Sequence, residues 1–202
     1  MPRVRSRWGG KDAPAQFAAL LLAMQLALKG TPCLYQGEEL ALSEAEIAFE
    51  DLQDPYGIAF WPEFKGRDGC RTPLPWDAKA PQAGFSSARP CLPPAPEHAA
   101  LAVSVQQAEA GSMLNFTRGL LAWRKQNPQL RRGEIAFFDA PEPVLALRRD
   151  LAGAAGVLAA FNLGGRPVQF AWPESAAAQP LNGHGLPGSA GGGIVRLPAH
   201  GA

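Results

Sequence analysis

The sequence predicts an α/β region followed by a small antiparallel β-domain. Three observations support this prediction. A long apolar helix is followed at once by a short apolar run, the order of elements found in a parallel barrel or a doubly wound sheet. A proline-rich stretch comes next and ends in one amphipathic helix. Short β-like runs separated by Pro, Gly and Asn turns then fill the rest of the chain, as in antiparallel β-proteins.

The composition is that of a globular chain with little net charge. Of the 202 residues 47% are hydrophobic, and 19 basic residues nearly balance 18 acidic ones. This balance disfavours nucleic acid, an anionic membrane or an acidic polymer as a partner. Cys33, Cys70 and Cys91 are widely spaced and odd in number, which argues against a disulfide scaffold and a structural zinc site. We expect a cytoplasmic protein that binds a neutral ligand or another protein.

A helix is predicted from Pro14 to Lys29, because this stretch is rich in strong helix formers and Gly30 suits its end. The stretch is apolar on nearly every face, so the helix should be packed on several sides. It is too short and too interrupted for a membrane span. The charged residues after Met1 lack the apolar continuation of a signal peptide. The run from Thr31 to Tyr35 is predicted to be a buried strand that enters a functional loop.

The middle of the chain, from Ala41 to Ala100, has little periodicity and contains nine prolines. A loop of this length in a compact domain is either functional or disordered. Its many aromatic residues argue against disorder, so we expect an ordered excursion over an active-site face. A short helix is predicted from Leu101 to Ala110. A clearer amphipathic helix is predicted from Ser112, a good N-cap residue, to Gln126.

The last third of the chain is predicted to be the antiparallel β-domain. Its loop from Ser175 to Gly193 is rich in Ala, Gly and Ser and is expected to be mobile or variable. The five runs with strand character are Glu134 to Phe138, Val144 to Arg149, Val157 to Phe161, Val168 to Trp172 and Ile194 to Leu197.

Three motifs occur in order and at matching spacing. They are GTPCLYQGEEL at Gly30 to Leu40, LQDPYG at Leu52 to Gly57 and FWPEFKGRDGCRTP at Phe60 to Pro73. These motifs resemble the α-glucosidase branch of the α-amylase superfamily, glycoside hydrolase family 13. The resemblance implies a C-terminal remnant of a (β/α)8 TIM barrel followed by a small antiparallel β-sandwich domain. Residues 1–130 would be the last part of the barrel, with a long loop after strand 8, and residues 131–202 the β-sandwich.

The implied activity is that of an exo-acting retaining α-glucosidase that releases glucose from short α-glucosides. Retaining glycosidases need two carboxyl groups about 5 Å apart. In the family both come from earlier strands, and this chain begins where the Asn-His-Asp loop of strand 7 would stand. We therefore expect a C-terminal fragment that is inactive alone, without cofactor or metal. The alternative is a non-catalytic binding or interaction subunit of the same fold. The sequence predicts no oligomeric state.

Arg71 is the candidate substrate contact. It is the second arginine of the R-D-G-x-R-T-P motif, and the resemblance implies that it binds the glucose at the non-reducing end. A guanidinium suits this task because its fixed fork of donors can hold sugar hydroxyls and a carboxylate together. The alternative is that Arg71 only ties down a loop through Asp68 or a backbone carbonyl.

Four more residues are predicted to order the loop or to support the site indirectly: Arg67, Asp68, Asp54 and Glu38. Glu38 and its neighbour Glu39 are interpreted as loop carboxylates that pair with arginines, rather than as catalytic groups. Tyr35 and Trp76 could stack on a sugar face, but aromatic residues beside prolines usually pack the loop.

Other features carry weaker predictions. Arg3, Arg5 and Arg7 are expected to be solvated or paired with carboxylates, and the three histidines are given no role. Ala41 stands where the family usually has Gly. A barrel closes through all its strands, so we expect the helix from Pro14 to Lys29 to be exposed in this chain. The region up to about Gln126 would then be prone to aggregation or partly disordered.

Overall fold

The computed structural model describes residues 3–10 and 12–202. Met1, Pro2 and Lys11, which belong to the predicted region 1–130, lie outside the described residues. The chain divides into two compact units. Unit 1 comprises Met1–Ala18 and Leu34–Phe116, and unit 2 comprises Ala19–Cys33 and Thr117–Ala202.

Helices dominate the first two thirds of the chain and strands the last third. The α-helices are α1 Val4–Gly9, α2 Ala15–Ala27, α3 Pro55–Ala59, α4 Val103–Ala108, α5 Met113–Gln126 and α6 Pro128–Arg132. The strands are β1 Glu134–Phe138, β2 Val144–Asp150, β3 Val157–Asn162, β4 Val168–Ala171, β5 Ser189–Gly191 and β6 Ile194–Leu197. The predicted helices and the five predicted strand runs are confirmed within a few residues of their bounds. Strand β5, inside the loop expected to be mobile, was not predicted.

Helix α2 is buried on almost every face, as its composition predicts. Eight of its thirteen residues are buried, among them Leu20 at 0% and Leu26 at 2% exposure. The expectation that this helix would be left exposed is therefore wrong, because the chain itself supplies enough apolar surface to cover it. No helix in residues 3–10 and 12–202 is long and apolar enough to cross a membrane.

The predicted strand from Thr31 to Tyr35 is not formed. These five residues have no regular secondary structure, and Cys33 and Tyr35 are exposed rather than buried. A strand is stabilised by hydrogen bonds to a neighbouring strand. Among the described residues no strand precedes β1, so this apolar run has no partner with which to pair.

The long central segment is ordered mainly by turns rather than by long helices. Besides α3, it contains short 3₁₀ helices at Glu38–Leu40, Phe49–Asp51, Asp68–Cys70, Pro81–Gly84 and Pro96–Leu101. Two small apolar clusters pack within unit 1. One contains Ile47, Leu52 and Leu92, and the other contains Leu40, Leu42 and Leu114. The predicted order of this segment follows from these clusters and from the polar network described below.

Helix α5 shows the predicted N-terminal cap. The hydroxyl oxygen of Ser112 accepts a hydrogen bond from the backbone N–H of Asn115 at 3.3 Å. The same hydroxyl donates to the carbonyl of Gln106 at 2.7 Å. Since N-cap side chains satisfy the free N–H groups of the first turn, Ser112 fixes the start of the helix.

Unit 2 contains two three-stranded antiparallel sheets, with strand orders β1-β2-β3 and β4-β6-β5. In the first sheet Leu147 of β2 lies opposite Phe137 of β1 and Ala159 of β3. In the second sheet Phe170 of β4 lies opposite Val195 of β6. Residues of both sheets share one apolar core, which includes Ala146, Ala160, Trp172, Val195 and Leu197.

One fully buried arginine connects several segments of unit 2. Arg149, on β2, is 0% exposed. Its guanidinium donates to the carbonyl oxygens of Ala27, Leu130, Gly133 and Glu134 at 2.5 to 3.2 Å. Burial lowers the pKa of Arg149, and the nearby charge of Arg124 lowers it further. The side chain therefore stabilises unit 2 by satisfying carbonyls that would otherwise be buried without donors.

Replacing Arg149 by Ala should lower the free energy of unfolding by about 3 kcal/mol or more, because several buried acceptors lose their donor. The matched control is Arg148→Ala. Arg148 is 44% exposed and pairs with Asp150, so its loss should cost less than about 1 kcal/mol. Urea unfolding followed by tryptophan fluorescence measures both changes. Equal losses in the two variants would contradict the role given to Arg149.

Candidate functional site

Two buried carboxylates fix the loop that carries the R-D-G-x-R-T-P motif. Asp68 is 1% exposed, and its Oδ2 accepts hydrogen bonds from the backbone N–H groups of Gln53 and Asp54, both at 2.7 Å. Asp54 is 2% exposed and caps helix α3, because its Oδ1 accepts from the backbone N–H of Tyr56 at 3.0 Å. The two carboxylates thus tie residues 53–56 to the 3₁₀ helix Asp68–Cys70.

The two arginines of the motif approach these carboxylates. Arg67 donates to Oδ2 of Asp54 from its backbone N–H at 3.0 Å and from Nε at 3.3 Å. Nη1 of Arg71 lies 3.7 Å from Oδ2 of Asp54 and 3.7 Å from Oδ1 of Asp68. The structure therefore brings Arg67, Arg71, Asp54 and Asp68 together in one cluster, which we call the arginine–aspartate cluster.

Hydrogen bonding keeps Asp54 ionised despite its burial. Burial alone would raise the pKa of this carboxyl group. Hydrogen bonds from the backbone N–H groups of Tyr56, Arg67 and Gly57, and from the side chain of Arg67, outweigh that effect and hold the pKa below its ordinary value. A negative charge at Asp54 in turn attracts the guanidinium of Arg71.

Arg71 is the exposed member of the cluster. Its side chain is 41% exposed, whereas Asp54 and Asp68 are buried. At 3.7 Å its two carboxylate contacts are ion pairs that exceed ordinary hydrogen-bond distance. The guanidinium is thus held in place by charge, while its N–H donors can still hydrogen-bond a ligand that approaches from solvent. This arrangement suits a hydroxyl-rich neutral molecule.

Glu38 has different contacts. Its Oε1 accepts from the backbone N–H of Val4 at 3.3 Å, and its Oε2 from that of Tyr35 at 3.1 Å. Glu39 accepts from the backbone N–H of Gly37 at 2.8 Å. Both residues lie in a 3₁₀ helix. Their carboxylates hold the turn through backbone N–H groups.

Arg3 and Arg5 were misjudged from the sequence. Arg3 is 1% exposed, and its side chain donates to the carbonyls of Gln36, Ser43 and Gly69. Arg5 donates to the carbonyls of Ala13 and Ala41. The prediction that they are solvated or paired with carboxylates is wrong for their side chains, because these donate to backbone carbonyls. The spacing of arginines in a sequence carries no signal that would distinguish the two cases.

Burial lowers the pKa of Arg3, although the nearby carboxylate of Glu44 opposes the shift. Burial has the opposite effect on an acid and raises the pKa of Glu44, whose carboxylate accepts from the backbone N–H of Arg3 at 3.2 Å. The N-terminal segment of unit 1 is therefore bound to the central segment by a buried charge and its backbone acceptors.

His98 is buried beside Arg3, although the sequence assigns it no role. The residue is 1% exposed, and its Nε2 lies 3.1 Å from the carbonyl of Ser43, which also accepts from Arg3. Burial lowers the pKa of His98, and the charge of Arg3 lowers it further. His98 is therefore neutral in the folded chain near neutral pH and donates to Ser43 through Nε2.

The rings of Tyr35 and Trp76 are exposed. Tyr35 and Trp76 are 42% and 50% exposed, so neither ring is enclosed by the loop. The hydroxyl of Tyr35 lies 3.8 Å from Sγ of Cys70, and burial raises the pKa of this hydroxyl.

Ala41 has a φ of 55°, in the left-handed region that favours glycine. Glycine would adopt this backbone conformation with less strain than alanine.

Residues 1–133 match the family model described as "Alpha amylase, catalytic domain". The chain belongs to the α-amylase family. It is 47% identical over 199 residues to a probable α-glucosidase of Rhizobium meliloti strain 1021, and this match covers 98% of the chain and 35% of that protein. It is also 28% identical over 193 residues to probable oligo-1,6-glucosidase 2 of Bacillus subtilis strain 168, covering 86% and 34%. The resemblance to the α-glucosidase branch is thus confirmed.

Solved structures share the fold of this chain. The crystal structure of the α-glucosyl transfer enzyme XgtA superposes with a TM-score of 0.94 at 54% identity, over 99% of this chain and 37% of that one. The trehalulose synthase MutB from Pseudomonas mesoacidophila MX-45 shares the fold, with a TM-score of 0.80 at 24% identity over 99% and 40%. The chain spans about a third of the length of the curated relatives named above.

Replacing Asp68 by Ala should lower the free energy of unfolding by about 2 to 3 kcal/mol, because two backbone N–H groups, that of Asp54 buried and that of Gln53 partly buried, lose their acceptor. Asp51→Ala is the matched control. The carboxylate of Asp51 is 31% exposed and pairs with Arg89, which is 83% exposed, so its loss should cost under about 1 kcal/mol. Denaturant titration measures the free energy of unfolding of both variants. A loss at Asp68 no larger than at Asp51 would show that Asp68 does not order the loop.

His98 should make unfolding sensitive to mild acid. Its pKa in the folded chain lies below the ordinary value of about 6.5, so the unfolded chain takes up the proton first as the pH falls. The stabilisation that comes from neutral His98 is complete above about pH 6.5. As the pH falls toward the pKa of His98 in the folded chain, this stabilisation is lost at up to about 1.4 kcal/mol per pH unit. His98→Asn should flatten the dependence of unfolding free energy on pH between 5 and 7. If the free energy of unfolding depends on pH equally in the unmodified chain and in His98→Asn, this prediction is wrong.

Proposed function

We propose that this chain forms the C-terminal part of an exo-acting retaining α-glucosidase that releases glucose from short α-glucosides, and that Arg71 contacts the glucose. The observation that carries the proposal is the half-exposed guanidinium of Arg71, held against two buried carboxylates at 3.7 Å. The kinship with proteins named α-glucosidase and oligo-1,6-glucosidase supports the class of substrate. The ligand would be a small neutral α-glucoside.

The proposed architecture follows the family. Residues 1–130 would be the last part of a (β/α)8 barrel, including the long loop after strand 8, and residues 131–202 a C-terminal β-sandwich. The family model, which matches residues 1–133, supports the first assignment. The two antiparallel sheets that share one core support the second. In such a barrel, the run from Thr31 to Tyr35 would find the strand neighbours that it lacks here.

We further propose that the 202-residue chain is inactive by itself. A retaining mechanism needs a free nucleophilic carboxylate and a second carboxyl group about 5 Å away. The carboxylates of Asp54 and Asp68 already accept backbone N–H groups, as do those of Glu38 and Glu39. Carboxylates engaged in this way order the loop and are poorly suited to attack an anomeric carbon.

A cytoplasmic location is part of the proposal. Cys33, Cys70 and Cys91 are all free thiols, and unpaired cysteines are typical of a reducing compartment. The proposed partner is the substrate alone, and no nucleic acid, membrane or cofactor is invoked.

A chimera tests the function. In the probable α-glucosidase of R. meliloti, the matching third would be replaced by this chain, and release of glucose and of transfer products from p-nitrophenyl α-glucoside and isomaltose would be measured. We expect an active chimera, whereas this chain alone should be inactive. Arg71→Lys should lower kcat/KM about 100-fold, because an ammonium lacks the planar fork of donors. Arg67→Lys is the matched control and should have a much smaller effect.

The outcomes separate the candidate functions. A folded but inactive chimera would favour the alternative, a non-catalytic binding or interaction subunit. An active chimera in which Arg71→Lys behaves like Arg67→Lys would keep the enzyme class and remove the substrate contact from Arg71. Activity of the isolated chain, abolished by changing one of its own carboxylates, would overturn the proposed inactivity.

A further inference from the structure

Two aromatic rings are exposed side by side at helix α3, one from Tyr56 in the helix and one from Phe60, its C-cap residue. Tyr56 is 64% exposed and Phe60 is 56% exposed. The residues are four apart, so they lie on the same face of the helix. Their ring centroids are 6.3 Å apart and the ring planes differ by 6°. We call these two side chains the ring pair. Exposed large apolar groups that adjoin one another often mark a binding surface.

The ring pair is connected to the arginine–aspartate cluster through one residue. Asp54 caps helix α3 by accepting from the backbone N–H of Tyr56 at 3.0 Å. The other oxygen of the same carboxylate lies 3.7 Å from Nη1 of Arg71. The start of the helix that leads to the ring pair is therefore fixed relative to Arg71 by the same group that holds the guanidinium.

The chemistry of the ring pair suits a neutral sugar. The electron-rich face of an aromatic ring attracts the polarised C–H groups on the flat side of a pyranose. The nearest cation along the chain, Lys65, pairs with Glu46 at 2.6 Å and lies 5.7 Å from the ring centroid of Trp61. This charge is already neutralised, so it offers little attraction to an anionic ligand.

The size of the ring pair argues for a small ligand rather than a protein. Two aromatic side chains of about 200 Å² each, a little over half exposed, offer roughly 250 Å². A stable protein interface buries about 800 Å² on each partner. The ring pair by itself is thus too small to hold a second copy of the chain, but it is large enough for one or two sugar rings.

We propose that Tyr56 and Phe60 form an aromatic subsite that stacks on the second or third sugar ring of a linear α-glucoside. The inference rests on the proposed function, because it places this ring next to the glucose that Arg71 contacts. The subsite would select for the length of the oligosaccharide. A monosaccharide would occupy the Arg71 position without reaching the ring pair.

The test is an NMR titration of the 202-residue chain with glucose, maltotriose and isomaltotriose. We expect at least one trisaccharide to shift the amide resonances of Tyr56 and Gly57 and to bind more tightly than glucose. The double variant Tyr56→Ala, Phe60→Ala should weaken trisaccharide binding about tenfold and leave glucose binding unchanged. Both side chains are more than half exposed, so the variant should remain folded, which circular dichroism verifies.

Ile58→Ala is the matched control. Ile58 is 45% exposed on the same helix, but it lies two residues from each ring and hence on another face. The control should bind every sugar as the unmodified chain does. The proposal is overturned if no trisaccharide shifts helix α3, if the double variant keeps full trisaccharide affinity, or if glucose affinity falls by the same factor.

Two further readouts separate this proposal from competing ones. If sedimentation shows that the double variant changes self-association and not sugar affinity, the ring pair is a contact between copies and the subsite is refuted. If Arg71→Lys leaves the chimera fully active while the double variant still loses trisaccharide binding, the subsite stands and the role of Arg71 falls. The two proposals can therefore fail independently.

Discussion

The need to pair buried backbone groups determines how unit 1 is built. Between Leu34 and Phe116 the chain forms short helices, the start of α5 and irregular segments, and none of these described residues is in a strand. Buried N–H and C=O groups must nevertheless be satisfied. Side chains do this instead of a sheet. The carboxylates of Asp54 and Asp68 accept from backbone N–H groups, and the guanidinium of Arg3 donates to carbonyls.

Unit 2 meets the same requirement differently. Its two sheets pair the backbone of the strands, and a buried arginine pairs carbonyls at helix ends. Arg149 donates to Ala27, the last residue of α2, and to Leu130 near the end of α6. The last carbonyls of a helix lack partners within it and carry partial negative charge. A buried cation at this position satisfies two helix ends at once, which explains how a fully buried arginine is tolerated.

The elements that the sequence predicts well depend on local patterns. Helix α5 follows from apolar spacing and from Ser112 as N-cap, and the strands of unit 2 from short runs between turn residues. The errors concern residues whose state depends on distant partners. The run from Thr31 to Tyr35 has strand composition but no neighbour, and Arg3 finds its acceptors more than 30 residues away. The sequence predicts that Arg67, Asp68 and Asp54 order the loop, but not that Asp54 lies against both arginines of the motif.

Asp54 connects the order of the loop to the chemistry of the site. One oxygen caps the helix that begins beside Tyr56 and ends at Phe60, its C-cap residue, and the other faces the guanidinium of Arg71. Loss of this carboxylate would disturb the loop and the guanidinium together, so a variant of Asp54 cannot separate a structural role from a functional one. Arg71 is different, because it is 41% exposed and its ion pairs are long. Its substitution perturbs the ligand contact more than the fold, which makes Arg71 the informative residue of the cluster.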